Sequence, residues 1–254
     1  MAITMLTERF FIEAAACTDM GTDRDNNEDC FYLAGKLPRI EEHIIDTSDV
    51  ALFDSSEIDF AVYDGLGGES YGEVASRVAA ELLGAANYSS DENFCHNYIA
   101  AVNTAVLEKQ KEFGSKHMGT TAALLHIKGC SADICNIGDS RVYVYHQGLL
   151  MRLSEDDRKI DPRTGRSFLT QHIGIPEKEF VIEPHLFKIL QLEAGMTFIM
   201  CTDGLTDVMP ESEMQIFMDA SNGKAADIIA DELVSAAIGR GSTDNITVLI
   251  ARIS

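Results

Sequence analysis

The chain has no tryptophan and only five prolines in 254 residues. That scarcity excludes a collagen-like chain or a proline-rich linker. Basic residues are also few. Twenty lysines and arginines face 41 aspartates and glutamates, a formal net charge of −21. Such a surface repels phosphate backbones and anionic lipid, so neither nucleic acid nor a membrane is an expected partner. No apolar run is long enough to span a bilayer. Ala14-Ala15-Ala16-Cys17 has the form of a lipoprotein cleavage site, but Glu8, Arg9 and Glu13 break the apolar stretch a signal peptide needs. The six cysteines form no CxxC pair, which argues against a zinc knuckle or a thioredoxin-like site. Most lie in apolar runs and read as buried free thiols of a reducing, cytoplasmic compartment. The seven histidines show no HExxH or similar spacing and read as surface or packing residues.

Hydrophobic residues make up 46% of the chain. At this length a folded chain buries roughly 70–75% of the surface its unfolded form exposes, so a sizeable core is feasible. No repeat or long linker divides the sequence, and residues 1–254 are expected to form one domain.

Phe10 to Cys17 reads as a strand, with Cys30 to Leu33 as its hairpin partner and residues 35–57 as a polar surface insertion. Asp59 to Tyr63 is a buried strand meeting an Asp-Gly turn. A helix over Tyr71 to Leu83 would bury Val74, Val78 and Leu82. A second, over Asp91 to Phe113, has Ser90 as N-cap and Asp91 and Glu92 in its first turn. Its inner face would be Ile99, Val102, Val106 and Phe113. Thr120 to Ile127, Ala132 to Asn136, Arg141 to His146 and Leu149 to Leu153 look like one antiparallel meander. Residues 154–167 read as loop. Phe180 to Leu190, Met196 to Thr202 and Ile246 to Ile253 read as strands, and Ala225 to Ile238 as a helix with Ile229 and Leu233 inward. The βαβ alternation of a parallel sheet is missing. The expected class is therefore α+β: antiparallel sheets in a sandwich, with helices on the outer faces.

Three apolar runs end or begin on acids. Asp64 follows Phe60-Ala61-Val62-Tyr63, Asp203 follows Phe198 to Thr202, and Asp244-Asn245 precedes Ile246 to Ile250. Glu28-Asp29 precedes Phe31-Tyr32. If these strand ends converge, several carboxylates share one cleft. Two such charges about 4 Å apart repel by roughly 4 kcal/mol at an effective dielectric near 20, so the cluster calls for cations or raised pKa values. Oxygen ligands favour magnesium or manganese over zinc. Asp64-Gly65-Leu66-Gly67-Gly68 and Asp203-Gly204-Leu205-Thr206-Asp207 are also ordinary turn sequences. The first lacks the Gly-Lys-Ser/Thr ending of a Walker loop.

In order, these segments resemble the protein phosphatase 2C family. Asp19 to Asp29 is similar to its first signature, with Arg24 ahead of Asn27-Glu28-Asp29. Asp64 to Gly68 resembles its Asp-Gly-x-Gly-Gly turn, and Gly119-Thr120-Thr121 its Gly-Thr-Thr strand start. Gly138-Asp139-Ser140-Arg141, Asp203 to Asp207 and Asp244-Asn245-Ile246-Thr247 resemble the remaining motifs. The resemblance implies two antiparallel sheets between helix pairs. It also implies hydrolysis of phosphoserine and phosphothreonine in proteins by a hydroxide bridging two divalent ions, Mn2+ or Mg2+. Asp64 would bridge the ions, with the Gly65 carbonyl on one. Asp203 and Asp244 would ligate the other, and Glu28 would act through water. Asp29, Asp139, Asp207 and Asn245 would stand behind them, and Arg24 would grip the phosphate.

The chain departs from the family pattern at three places. Leu66 stands where many eukaryotic members carry a histidine, so water must protonate the leaving group. Bacterial members of the family often carry an apolar residue here, so the resemblance is to the bacterial type. Ser115-Lys116-His117-Met118 lacks the acid that helps to bind a third metal in some members. Ten residues separate Asp157 from Phe168, a shortened flap that is expected to leave the cleft more open. The implied partners are phosphorylated proteins made by a serine/threonine kinase, acted on by a monomer. Two rivals stay open: a pseudophosphatase that binds phosphoproteins without turnover, and a phosphatase of small phosphate esters.

Overall fold

A computed structural model describes residues 10–39, 43–52, 57–66, 71–85 and 93–254. The chain opens with β1 (Phe10–Asp19), β2 (Cys30–Leu33), β3 (His43–Leu52), β4 (Glu57–Tyr63) and the short β5 (Gly65–Leu66). Helices α1 (Gly72–Ala85) and α2 (Phe94–Phe113) follow. Next come β6 (Gly119–Thr120), β7 (Ala122–Lys128), β8 (Ser131–Ile137), β9 (Arg141–His146) and β10 (Leu149–Arg152). The hairpin strands β11 (Arg158–Ile160) and β12 (Ser167–Leu169) precede β13 (His185–Ile189) and β14 (Thr197–Cys201). The chain finishes with α3 (Asp203–Thr206), α4 (Glu211–Ala220), α5 (Ala226–Gly239) and β15 (Ile246–Ile253).

Two antiparallel sheets face each other. One runs β10-β9-β14-β15-β1-β3 and the other β13-β8-β7-β4-β2. Successive strand side chains point to opposite faces, so each strand feeds two cores. Ile12, Ala14 and Ala16 of β1 meet Phe60 and Val62 of β4, Leu125 of β7 and Phe198 of β14 between the sheets. The alternate residues Ala15 and Cys17 pack against Ile229, Leu233 and Val234 of α5. Ala61 and Tyr63 pack against α1 and α2. Each fully buried large side chain contributes roughly 1.5–3 kcal/mol relative to exposure. The result is the expected sandwich flanked by helices.

Several local expectations change. β2 is not the hairpin partner of β1. It pairs with β4 in the opposite sheet, and β1 pairs with β3. Residues 35–57 therefore hold a ten-residue strand at the sheet edge, where an edge position tolerates polar residues among Ile44, Ile45, Thr47 and Val50. The meander is two hairpins in different sheets, β7–β8 and β9–β10. The chain crosses between them at Gly138-Asp139-Ser140. Gly138 has φ +93, and a Cβ there would lie 2.5 Å from Thr121 Cγ2.

On α1 the buried face is Ala75, Ser76, Ala79, Ala80 and Leu83. Val74, Val78 and Leu82 flank it, because alanines let the helix approach the sheet closely. On α2, Ile99, Val102 and Val106 are buried, but Phe113 is exposed beside the left-handed Gly114 cap. The proposed cap at Ser90-Asp91-Glu92 lies outside the described residues. Residues 154–167 include a strand, and only His185–Ile189 of the 180–190 run is one. α4 gave no clear sequence signal, since only Met214 and Met218 anchor it. No helix is long and apolar enough to cross a membrane, among the described residues.

Candidate active site

Strand order brings the acids to one end of the sandwich. β4 ends at Tyr63, so Asp64 emerges from one sheet, and β14 ends at Cys201, so Asp203 emerges from the other. The crossing between β8 and β9 supplies Asp139. One carboxylate oxygen from each of Asp64, Asp139 and Asp203 lies within 4.8 Å of the others.

Hydroxyls and backbone groups hold this triad. The Thr121 amide and the Thr120 hydroxyl donate to the Asp64 carbonyl, each at 2.9 Å. The Asp64 amide donates to Thr121 Oγ1 at 2.9 Å, and that hydroxyl lies 2.6 Å from Ser140 Oγ. The Gly-Thr-Thr and Gly-Asp-Ser-Arg segments thus interlock around the two acids they adjoin. Gly65 donates to the Glu28 carbonyl at 3.1 Å. A Cβ on Gly65 would come within 2.4 Å of both the Glu28 and Gly72 carbonyl oxygens, so only glycine fits.

Burial is the largest influence on these acids. It pushes Asp203 up to about 7, with Asp139, Asp207 and Asp244 adding to the rise and Arg158 opposing it. Asp139 rises to about 6 for the same first reason, again against Arg158. Asp64 is raised well above the carboxylate range by burial and then by Asp203. Asp203 Oδ1 is buried with no hydrogen-bond partner among the described residues. Buried polar atoms are rarely left so. An oxygen-only, mutually repelling set with an orphaned lone pair fits a hard divalent cation.

The remaining expected residues stand around this triad. Asp244 lies at the rim. Its Oδ2 accepts from Arg24 Nη2 at 2.6 Å and its Oδ1 from the Asn245 amide at 2.8 Å. The sequence reading places Asp244 among the ligands and Asp139 behind them; the described geometry closes the triad with Asp139. Asn245 is a strap. Its Nδ2 donates to the Met20 and Asn26 carbonyls at 2.7 and 2.9 Å, and its Oδ1 accepts from the Glu28 amide at 2.8 Å. It therefore pins the Arg24 loop to the start of β15. Asp29 is buried and accepts from Thr202 Oγ1 at 2.8 Å. Burial pushes it up to about 8 although hydrogen bonds from Thr202 and Thr247 oppose the rise. The Glu28 carboxyl sits against Gly72 at the start of α1; burial and then Glu73 raise it above the usual carboxylate range, with Arg24 and the Gly72 amide opposing the rise.

Arg158 carried no sequence signal. It opens β11, in the stretch read as loop. Its guanidinium binds Asp207 in a fork, at 2.6 and 3.1 Å, and its Nη1 stands 3.6 Å from Asp139 and 4.0 Å from Asp203. Its Nε also donates to Ser167 across the hairpin. The short flap therefore lays a cation against the acids. A lone arginine in a polar stretch has no periodicity or motif to mark it. Asp157, next to it, anchors the segment by accepting from the Gly138 amide, Gln171 Nε2 and His185 Nε2 at 3.0, 2.9 and 2.8 Å.

Known proteins are similar to this chain in sequence and in fold. The serine/threonine phosphatase Stp of Listeria monocytogenes is 29% identical over 232 residues, covering 84% of this chain and 91% of Stp. The structure of PppA, described as a key regulatory component of T6SS in Pseudomonas aeruginosa, superposes with a TM-score of 0.78 at 23% identity, covering 97% of this chain and all of PppA. The Mycobacterium tuberculosis serine/threonine phosphatase PstP gives a TM-score of 0.74 at 25% identity, covering 95% and 98% of the two chains. A further structure of the PstP catalytic domain is a complex with two manganese ions. The family model described as Protein phosphatase 2C matches residues 46–236. With most of its length matched, and the family's motifs gathered at one end of the sandwich, the chain belongs to the protein phosphatase 2C family.

Proposed function

We infer that this chain is a metal-dependent protein serine/threonine phosphatase. The observation that carries the reading is the convergence of Asp64, Asp139 and Asp203, one from each sheet and one from the crossing between them, with Asp203 Oδ1 unpartnered among the described residues. These three, with Asp244, the Gly65 carbonyl and Glu28 around them, would hold a pair of manganese or magnesium ions. Such ions supply an acidified water and draw charge from phosphoryl oxygens.

The protein's own groups do the rest. Arg24 is held by one carboxylate at the rim, with side chains 47% and 38% exposed in the pair, so an incoming phosphate can compete for its fork. Thr120 and Thr121 fix the Asp64 backbone, and Thr202 fixes Asp29. Leu66 offers no proton, so solvent water protonates the departing seryl or threonyl oxygen. The physiological substrates are phosphoproteins made by a serine/threonine kinase, met in the cytoplasm, and residues 1–254 act as one catalytic domain and as a monomer.

The test is hydrolysis of a phosphoserine or phosphothreonine peptide with manganese, and then with chelator. Turnover should appear with the metal and vanish without it. Turnover that survives the chelator overturns the reading, and peptide binding without turnover favours a pseudophosphatase. Arg158 gives a second expectation. Its charge opposes a cation at the triad, so Arg158→Ala should tighten manganese binding roughly fivefold by calorimetry. Weaker binding would show instead that Arg158 positions the acids.

A further inference from the structure

A second group of donors lies on the opposite side of the six-stranded sheet from its partner sheet, where α5 crosses β1 and β3. Cys17 is on β1, His43 begins β3 and Asp231 is on α5. One ligand atom from each lies within 4.8 Å of the others. His43 Nε2 is 3.8 Å from Cys17 Sγ and 3.2 Å from Asp231 Oδ1. The other ring nitrogen, Nδ1, is 2.7 Å from Asp19 Oδ2. We propose that Cys17, His43 and Asp231 form a zinc site separate from the phosphatase centre, with Asp19 orienting the imidazole from behind.

Three arguments support it. The first is geometric. Tetrahedral zinc, with bonds of about 2.3 Å to sulfur and about 2.0 Å to nitrogen or oxygen, spaces S···N by about 3.5 Å and N···O by about 3.3 Å. The observed 3.8 and 3.2 Å are close to both. The second is chemical. Thiolate and imidazole select zinc over the hard ions that suit an all-oxygen centre. A thiolate, a neutral imidazole and a carboxylate carry together the charge that a divalent ion neutralises. The third is the carboxylate on the far ring nitrogen, the usual partner of a metal-bound histidine. It is a cross-strand neighbour, because Asp19 pairs with His43 in the β1–β3 register.

The ordinary alternative is an ion-paired histidine between two aspartates beside a passive thiol. Burial, helped by Asp231 and Asp19, pushes the Cys17 thiol up to about 12, so an uncharged thiol is the state without metal. The same carboxylates favour a divalent ion. Binding must therefore release the thiol proton, and affinity rises with pH. His43 is half-exposed, which leaves a water-accessible fourth position. Occupancy also reaches the phosphatase loop. Asp19 Oδ1 accepts from the Gly21 amide at 2.7 Å, at the start of the turn that leads to Arg24.

Cobalt(II) separates this site from the all-oxygen centre, because only a thiolate ligand gives a sulfur-to-cobalt charge-transfer band in the near ultraviolet. Titration of the full chain with cobalt should produce that band, and zinc should bleach it while magnesium should not. Cys17→Ser should abolish it. Asp19→Asn should weaken zinc binding about ten- to a hundredfold. His43→Gln leaves the buried strand untouched and should lose the band, so it decides the matter if Cys17→Ser does not fold. No band in the wild-type protein, or one that persists in His43→Gln, overturns the site and leaves His43 as an ion-pair strap.

Discussion

Asp203→Asn should lower phosphopeptide turnover about a thousandfold, equivalent to roughly 4 kcal/mol of transition-state stabilisation. The carboxamide keeps the shape but loses the charge and one lone-pair face. The unpartnered Oδ1 is the atom at stake. The same substitution should leave the fold intact and raise the melting temperature of the metal-free protein, because it removes a buried charge facing Asp139, Asp207 and Asp244. Steady-state hydrolysis and thermal melts with and without manganese check both halves. Undiminished turnover would show that Asp203 is not a ligand. Lost turnover with a lowered metal-free melting point would make it a structural residue.

The second large effect concerns pH. Without divalent ions the protein should melt at least about 3 °C higher near pH 5.5 than near pH 8.5. Asp139, Asp203 and Asp29 sit at about 6, 7 and 8 in the folded chain, against an ordinary 3.8. A carboxyl raised in the folded state binds its proton more tightly there than in the unfolded chain. The unfolded state therefore holds fewer protons between the ordinary value and the raised ones, and stability falls as pH climbs through that window. Bound divalent ions take the protons' place, so the slope should flatten with manganese. General repulsion in so acidic a chain acts in the same direction. The discriminating comparison is Asp203→Asn, whose metal-free slope should be shallower than that of the wild type. Equal slopes would assign the effect to net charge alone.

Much of the site was legible along the chain. Asp64 and Asp203 each end an apolar run, and a strand end is a local property that spacing reveals. The sandwich followed from short β-rich segments without βαβ alternation. Asp139 was harder to place. Its Gly-Asp-Ser turn reads the same whether two strands stay in one sheet or separate into two, and only the crossing puts the carboxyl in the cleft. β1 and β2 were misread for a similar reason. Neighbours in sequence invite a hairpin, but β2 takes β4 as its ladder partner and buries Phe31 and Leu33 between the sheets and Cys30 against α1 instead. Arg158 was invisible because a long-range ion pair leaves no periodic trace in a loop.

The sequence by itself determined the carboxylates, their order and the strands that deliver them, because burial along a strand imposes a pattern that can be read residue by residue. Tertiary structure alone decided which acids meet, that a flap arginine lies against them, and that Cys17, His43 and Asp231 gather on another face. Cys17 and His43 are 26 positions apart, and His43 and Asp231 are 188 apart. Strand register and the docking of α5 bring them together, and neither is encoded in spacing.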